Sequence, residues 1–302
     1  MKKDLTKLLD LSKEEILDIL SLADQMKYNL KHGKEERPLA GKSLAMIFMK
    51  ASTRTRVSFE VGMYQLGGQA LFLNSNDLQI GRGEPVEDTA RVLSRYVHGI
   101  MIRTFEQSEV EALAKWADIP VINGLTDFAH PCQILADLMT IREYMSVLEG
   151  VRLGFIGDGN NVCNSMIVGG LKCGLQVTVA APEGYEPHPD ILRFAKDYPD
   201  TFKLCRDPKE AAANANVLVS DVWASMGQEE EAAKRKKAFK GFQIDQNLLS
   251  LADPSAIVLH CLPAHRGEEI SAQTFEANAK PIFDEAENRL HVQKAVMALL
   301  MA

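Results

Sequence analysis

Short apolar runs separated by helical segments recur along nearly the whole chain, and this alternation leaves few folds open. Leu44–Phe48, Ala70–Leu73, Gly99–Ile102 and Pro120–Ile122 read as strands, with helices predicted near Val86–Tyr96 and Val110–Ala117 between the last three. A helix over Val57–Leu66 is predicted to stop at Gly67-Gly68. After a long helix predicted from Pro131 to Leu148, strands resume at Arg152–Ile156, Gln176–Ala180, Val217–Asp221 and Ile257–His260. A last helix is predicted over Glu285–Leu300, with Leu290, Ala295, Val296, Leu299 and Leu300 as its apolar positions. Strands that alternate with helices pair in parallel through crossovers, so the expected class is α/β: two doubly wound parallel-sheet domains joined by helices. Residues 1–149, with a C-terminal helix over about 285–302, are expected to form one domain and residues 150–284 the other. In such folds ligands bind at the carboxyl ends of the strands, here expected in a cleft between the domains.

Two helix starts carry capping boxes, Ser12-Lys13-Glu14-Glu15 and Ser108-Glu109-Val110-Glu111. The formal net charge of −7 argues against a general nucleic-acid binder while leaving room for a local basic pocket. Five cysteines, Cys132, Cys163, Cys173, Cys205 and Cys261, form no C-x-x-C pair and are odd in number, which fits a reducing compartment. No run approaches the ~18 apolar residues of a membrane span, and Met1-Lys2-Lys3-Asp4 opens no apolar signal core, so a cytoplasmic protein is expected.

The densest chemistry lies at Ser52-Thr53-Arg54-Thr55-Arg56, between a strand and a helix. Free N–H groups of a first helical turn, the positive end of the helix dipole and two guanidinium groups make an anion site there. A serine N-cap followed by solvated arginines is the competing reading. Gly41-Lys42-Ser43 is no phosphate loop, because Glu36 stands where the first glycine is required. Gly157-Asp158-Gly159-Asn160-Asn161 follows a strand and opens a helix, but Val162 replaces the third glycine of a dinucleotide fingerprint. Arg103 ends the strand Gly99–Ile102, either over the same site as Arg54 or as a surface cap. His130 and Gln133, three apart at the start of the long helix, could each offer a hydrogen bond to one point; a structural histidine is the alternative. Asp221, at a strand tip, suits an ammonium group, and the Ser225-Met226-Gly227 turn suits a carboxylate; an N-cap and plain loop is the alternative. His260-Cys261-Leu262-Pro263-Ala264-His265 suggests zinc ligands or a cysteine nucleophile, with a spacing that matches no standard zinc pattern.

Taken together, these motifs resemble those of the transcarbamylase family. Ser52-Thr53-Arg54-Thr55 is similar to its Ser-x-Arg-Thr loop and His130-Pro131-Cys132-Gln133 to its His-Pro-x-Gln. Asp221-x-x-x-Ser225-Met226-Gly227 and His260-Cys261-Leu262-Pro263 resemble the loops of its ornithine-using members. The resemblance implies carbamoyl transfer from carbamoyl phosphate to the δ-amine of L-ornithine, a step of arginine synthesis, without cofactor or metal. It implies that Ser52, Thr53, Arg54, Thr55, Arg103, His130, Pro131, Cys132, Gln133, Cys261, Leu262 and Arg289 bind carbamoyl phosphate. Arg54, Arg103, His130, Gln133 and Cys261 would be catalytic, and Asn161, Asp221, Ser225 and Met226 would hold ornithine. Gln79 would reach the site of a neighbouring subunit, which implies a homotrimer or a multiple of one, with neither nucleic acid nor membrane as partner. Met49 departs from the family, many of whose ornithine enzymes carry Glu there. The alternatives are a transcarbamylase for putrescine, acylated ornithine or aspartate, a non-catalytic paralogue and, more distantly, a nicotinamide dehydrogenase.

Overall fold

The computed structural model describes residues 4–75, 78–79, 83–224 and 231–302. The chain divides into two units, Met1–Ala136 with Asn288–Ala302, and Asp137–Glu287. The first unit opens with α1 (Lys13–Lys31), started by the expected capping box: Glu15 N donates to Ser12 Oγ at 3.2 Å and Ser12 N to Glu15 Oε2 at 2.8 Å. Ile16, Ile19, Leu20, Ala23 and Met26 recur at helical spacing and are buried, which holds the helix by one face. There follow β1 (Ser43–Phe48), α2 (Thr53–Gln65), β2 (Gln69–Asn74), α3 (Val86–Leu93), β3 (Gly99–Arg103), α4 (Gln107–Trp116), β4 (Val121–Leu125) and α5 (Pro131–Met145). The sheet order is β2-β1-β3-β4 with every pair parallel. β1 and β3 are buried along nearly their whole length, which is why they read as continuous apolar runs and not as alternating strands. Ile47, Ile100, Ile102, Val110, Leu113 and Val121 make the core between this sheet, α3 and α4.

The second capping box does not form. α4 begins at Gln107, so Ser108 lies inside its first turn, and Glu106 at the N-cap makes no side-chain cap bond. The acidic partners are used elsewhere: Glu109 accepts from the Thr104 hydroxyl, and Glu111 pairs with Lys7 at 2.5 Å.

The second unit continues with β5 (Arg152–Ile156), α6 (Asn161–Lys172), β6 (Gln176–Ala180), α7 (Pro189–Ala195), β7 (Phe202–Cys205), α8 (Pro208–Ala212), β8 (Val217–Ser220), α9 (Ala232–Ala238), α10 (Gln246–Leu249), β9 (Ile257–His260), α11 (Ala272–Ala277) and α12 (Ala279–Met301). Its sheet is also wholly parallel, ordered β7-β6-β5-β8-β9. The edge strand β7 was not foreseen, because four residues of mixed polarity are too few to display a period. α12 starts six residues before the predicted Glu285, and within it Leu299 is exposed where an apolar contact was expected. The unit boundaries fall inside α5 and inside α12.

Both strand orders reverse once. In the first sheet the chain runs outward from β1 to β2, then returns to add β3 and β4 on the other side; in the second it runs β5-β6-β7, then returns to β8 and β9. Each reversal leaves a crevice at the carboxyl ends of two adjacent strands, where no crossover covers the sheet. These crevices lie between β1 and β3 and between β5 and β8.

Candidate active site

At the first crevice, Ser52 is the N-cap of α2, its Oγ accepting from Thr55 N at 3.2 Å. Thr53 to Arg56 are already helical, so the five-residue motif is a cap plus one helical turn, with its remaining N–H groups at the positive end of the helix. A pocket of about 380 Å³ opens beside Ser52 and Thr53, with Phe48, Met49 and Phe72 in its wall. Arg56 also lines this pocket, lying over the Phe72 ring at 3.7 Å and pairing with Glu60 at 3.0 Å. Met49 packs against the apolar core of the unit, which explains how the position does without a carboxylate. Next to it the buried Lys50 pairs with Asp127 and faces the Phe105 ring at 4.2 Å, joining the chain that leaves β1 to the chain that approaches His130.

Arg103 is buried at the tip of β3, in register with Phe48 of β1. His130 is buried just before α5. Burial first, then the charges of Arg289, Arg103 and Arg54, hold its imidazole well below the ordinary histidine range. His130 is therefore a neutral ring among three guanidinium groups from α12, β3 and α2. Arg289 donates to Gln133 Oε1 at 2.7 Å and to Thr55 Oγ1 at 3.2 Å, which fixes the starts of α5 and α2 to each other. Cys132 turns inward, its Sγ 3.6 Å from Asn123 O, and burial raises its thiol to about 12, so its side chain serves the core. Gln79 is exposed, and its carbonyl accepts from Glu84 N at 3.1 Å.

The neutral state of His130 has a measurable consequence. In the unfolded chain a histidine takes a proton as pH falls through about 6.5, whereas the folded ring does not. The unfolded state then binds more protons, so acid lowers stability below that value. Chemical denaturation between about pH 7 and pH 5.5 is expected to show a steeper loss for the wild type than for His130→Asn, by up to about 1.4 kcal/mol per pH unit. Equal slopes would refute the neutral assignment.

At the second crevice, Asn160 caps α6 by accepting from Val162 N and Cys163 N at 3.0 and 3.1 Å, and donates to Asp221 Oδ2 at 2.7 Å. Asn161 is buried beside it, its Oδ1 accepting from Val162 N at 2.9 Å. The other oxygen of Asp221 accepts from Val222 N at 2.8 Å and from the Cys261 thiol at 3.1 Å. Burial, then the carboxylate of Asp221, push the Cys261 thiol well above its usual range. It is thus a proton donor to Asp221 and neither a thiolate nucleophile nor a base. Asp221, His260 and Cys261 place donor atoms within 4.8 Å of one another, yet these groups are already engaged. His260 Nδ1 accepts from Leu262 N at 2.9 Å, which leaves Nε2 protonated toward Glu269 Oε1 at 3.1 Å. That bond holds Leu262 at a φ of 58° and sets the turn after β9. Ser225 and Met226 lie outside the described residues.

Motif reading found the residues at both crevices but passed over Asp158, Arg235 and the Lys50–Asp127 pair. Asp158 lay inside a glycine motif tested only for dinucleotides, and Arg235 stands among three other basic residues in α9 and its approach with nothing local to set it apart.

The profile described as aspartate/ornithine carbamoyltransferase, carbamoyl-P binding domain, matches residues 3–143, and that of the Asp/Orn binding domain matches residues 149–300. The ornithine carbamoyltransferase of Syntrophotalea carbinolica is 56% identical over 302 residues, the whole of both chains. That of Methanobrevibacter smithii is 57% identical over 290 residues, 94% of this chain and 95% of its own. Among solved structures, ornithine carbamoyltransferase from Pyrococcus furiosus matches with a TM-score of 0.94 at 52% identity, covering 99% of this chain and 96% of that one. The anabolic ornithine carbamoyltransferase from Campylobacter jejuni matches with a TM-score of 0.94 at 43% identity over 99% of each chain. With both profiles in order along the sequence and relatives more than half identical over its length, the chain belongs to the aspartate/ornithine carbamoyltransferase family.

Proposed function

We propose that the protein is an ornithine carbamoyltransferase, which moves the carbamoyl group of carbamoyl phosphate to the δ-amine of L-ornithine and releases L-citrulline and phosphate. The observation that carries this reading is the 56% identity, end to end, to a protein of that name. The two crevices supply matching chemistry: three guanidinium groups and a helix N-terminus for a phosphorylated substrate, and the buried carboxylate of Asp221 for an amino acid.

We assign carbamoyl phosphate to the domain expected over residues 1–149 with about 285–302, which holds the first unit, and ornithine to the domain expected over residues 150–284, which lies within the second. Ser52, Thr53, Arg54 and Thr55 take the phosphate and the carbonyl oxygen; Arg103, His130 and Gln133 complete that pocket. As a neutral ring, His130 donates a hydrogen bond to the carbonyl oxygen without adding a fourth charge. Pro131 and Cys132 contribute through the main chain, and Arg289 holds Gln133 and Thr55 in place. Asp221 takes the α-amino group of ornithine, with Asn161, Ser225 and Met226 at its carboxylate end. Cys261 donates to Asp221 and, with Leu262, faces the carbamoyl group. The neutral δ-amine attacks the carbonyl carbon, a tetrahedral intermediate forms, and the C–O bond to phosphate breaks. Phosphate departing without a proton would carry three charges and is a strong base, so it takes the extra proton from the nitrogen of the new C–N bond and leaves as hydrogen phosphate. The protein acts by orientation and by donors already aimed at the developing charge. We further propose a cytoplasmic homotrimer, or a multiple of one, in arginine synthesis, with Gln79 supplied to a neighbouring subunit's site. No helix among the described residues is long and apolar enough to cross a membrane.

Purified protein given carbamoyl phosphate with ornithine, putrescine, N-acetylornithine or aspartate is expected to prefer ornithine by ~10²-fold or more in kcat/KM, since a site built around polar groups rejects analogues that leave them unpaired. Preference for another amine, or no turnover at all, would overturn the reading.

A further inference from the structure

Beside the second crevice lies a buried ion pair with no part in the chemistry described so far. Arg235 of α9 donates through Nη1 to Asp158 Oδ2 at 2.7 Å and to Trp223 O at 2.8 Å. Its guanidinium also faces the Tyr185 ring at 4.9 Å, and Glu231 lies 3.4 Å from Nε. Side chains of both Arg235 and Asp158 are only 9% exposed. Asp158 stands two residues beyond β5 and Trp223 three residues beyond β8, the strands that flank the reversal of the sheet. One nitrogen therefore clamps together the two chain segments that leave those strands. Within the clamp are Asn160 and Asp221, themselves bonded at 2.7 Å.

A buried ion pair is a poor source of stability, because desolvation of both charges offsets most of their attraction. What the pair supplies is geometry and charge balance. Burial pushes the Asp158 carboxyl up to about 6 against the pull of Arg235, and the nearby charges of Asp221 and Glu231 push the same way. Without Arg235, burial and the neighbouring charge of Asp221 would push the Asp158 carboxyl further up, and its tie to the Trp223 carbonyl would be lost.

We propose that Arg235 is a positioning residue for the amino-acid substrate: by clamping Asp158 to the Trp223 carbonyl it sets the placement of Asp221 and leaves Asp221 as the single carboxylate that meets the substrate's amino group. This rests on the assignment of ornithine to the second crevice. Arg235 Nη1 is engaged by Asp158 and the Trp223 carbonyl, so its effect on the amino acid would pass through the placement of Asp221.

The test is steady-state kinetics of Arg235→Met, Arg235→Lys and Asp158→Asn, each substrate varied in turn, with thermal midpoints measured alongside. Arg235→Met is expected to raise KM for ornithine on the order of 10- to 100-fold, the scale on which remote misplacement acts, while KM for carbamoyl phosphate stays within about twofold. Arg235→Lys, which keeps the charge and loses the fork, is expected to fall between it and the wild type. Asp158→Asn keeps the size and an acceptor for Arg235; its KM for ornithine is expected to rise several-fold. It provides the reading if Arg235→Met does not fold. A lowered thermal midpoint with both KM values unchanged, or with both raised together, would make the pair a structural staple and overturn the proposal. Failure of wild-type protein to form citrulline from ornithine would instead overturn the underlying assignment, so the two failures are told apart by the wild type.

Discussion

Replacing Arg54 by alanine is expected to lower kcat/KM for carbamoyl phosphate by ~10³-fold or more while the protein stays folded. The loss of one preorganised donor to developing negative charge already costs ~10²–10³-fold. Arg54 adds a full charge within the field that keeps His130 neutral, and no other residue of the first turn of α2 duplicates it: Arg56 is committed to Glu60 and the Phe72 ring. The fold should tolerate the change. Ser52 caps the helix through Thr55 N, a bond that does not involve Arg54, and alanine has the highest helix propensity. Arg54 is half-buried, so stability is expected to move by no more than about 1 kcal/mol. Citrulline formation and denaturant midpoints, measured on one preparation, check both parts. Near-normal turnover would remove the Ser52–Thr55 loop from the active site.

The second large effect is expected at the other substrate. Asp221→Asn preserves shape and keeps one oxygen for both Val222 N and the Cys261 thiol, but it sets an amide nitrogen against Asn160 Nδ2 and removes the charge proposed to face an ammonium group. Truncating one partner of a buried charged pair costs about 2–5 kcal/mol, so kcat/KM for ornithine should fall by roughly 30- to 4,000-fold. KM for carbamoyl phosphate, whose proposed ligands lie at the first crevice, is expected to stay near the wild-type value. A matched loss for both substrates would mean that the variant damages the protein as a whole. The same logic separates Asp221 from Arg235: the first, as the proposed partner of the amino group, should affect kcat and KM, whereas the second, proposed to act through placement, should appear in KM.

Elements set by near neighbours were legible in advance. The Ser12 box, the stop of α2 before Gly67 and the strand at Gly99 each follow from residues within one turn or one strand of each other. The Ser108 box failed for a reason of the same kind in reverse: Glu111 and Glu109 found partners in Lys7 and Thr104, one of them more than a hundred residues away. The β7 edge was too short and too mixed to announce itself.

The candidate site divides along the same line. Ser52–Thr55, His130–Gln133 and Asp221 stand at strand ends or helix starts, and an anion-binding turn is a local object made by a cap and a few N–H groups, so sequence alone determined where it lies. Alternating apolar runs likewise determined two parallel α/β sheets. Only the tertiary structure decided what state those residues are in. His130 is neutral because Arg54, Arg103 and Arg289 converge on it from positions up to 159 residues away, and because burial removes the water that would hold its charge. Cys132 faces the core while Cys261 faces Asp221, and Arg235 is the basic residue of α9 that turns inward to Asp158. Desolvation and charge–charge coupling depend on distances between groups remote in sequence, and no local pattern of residues records those distances.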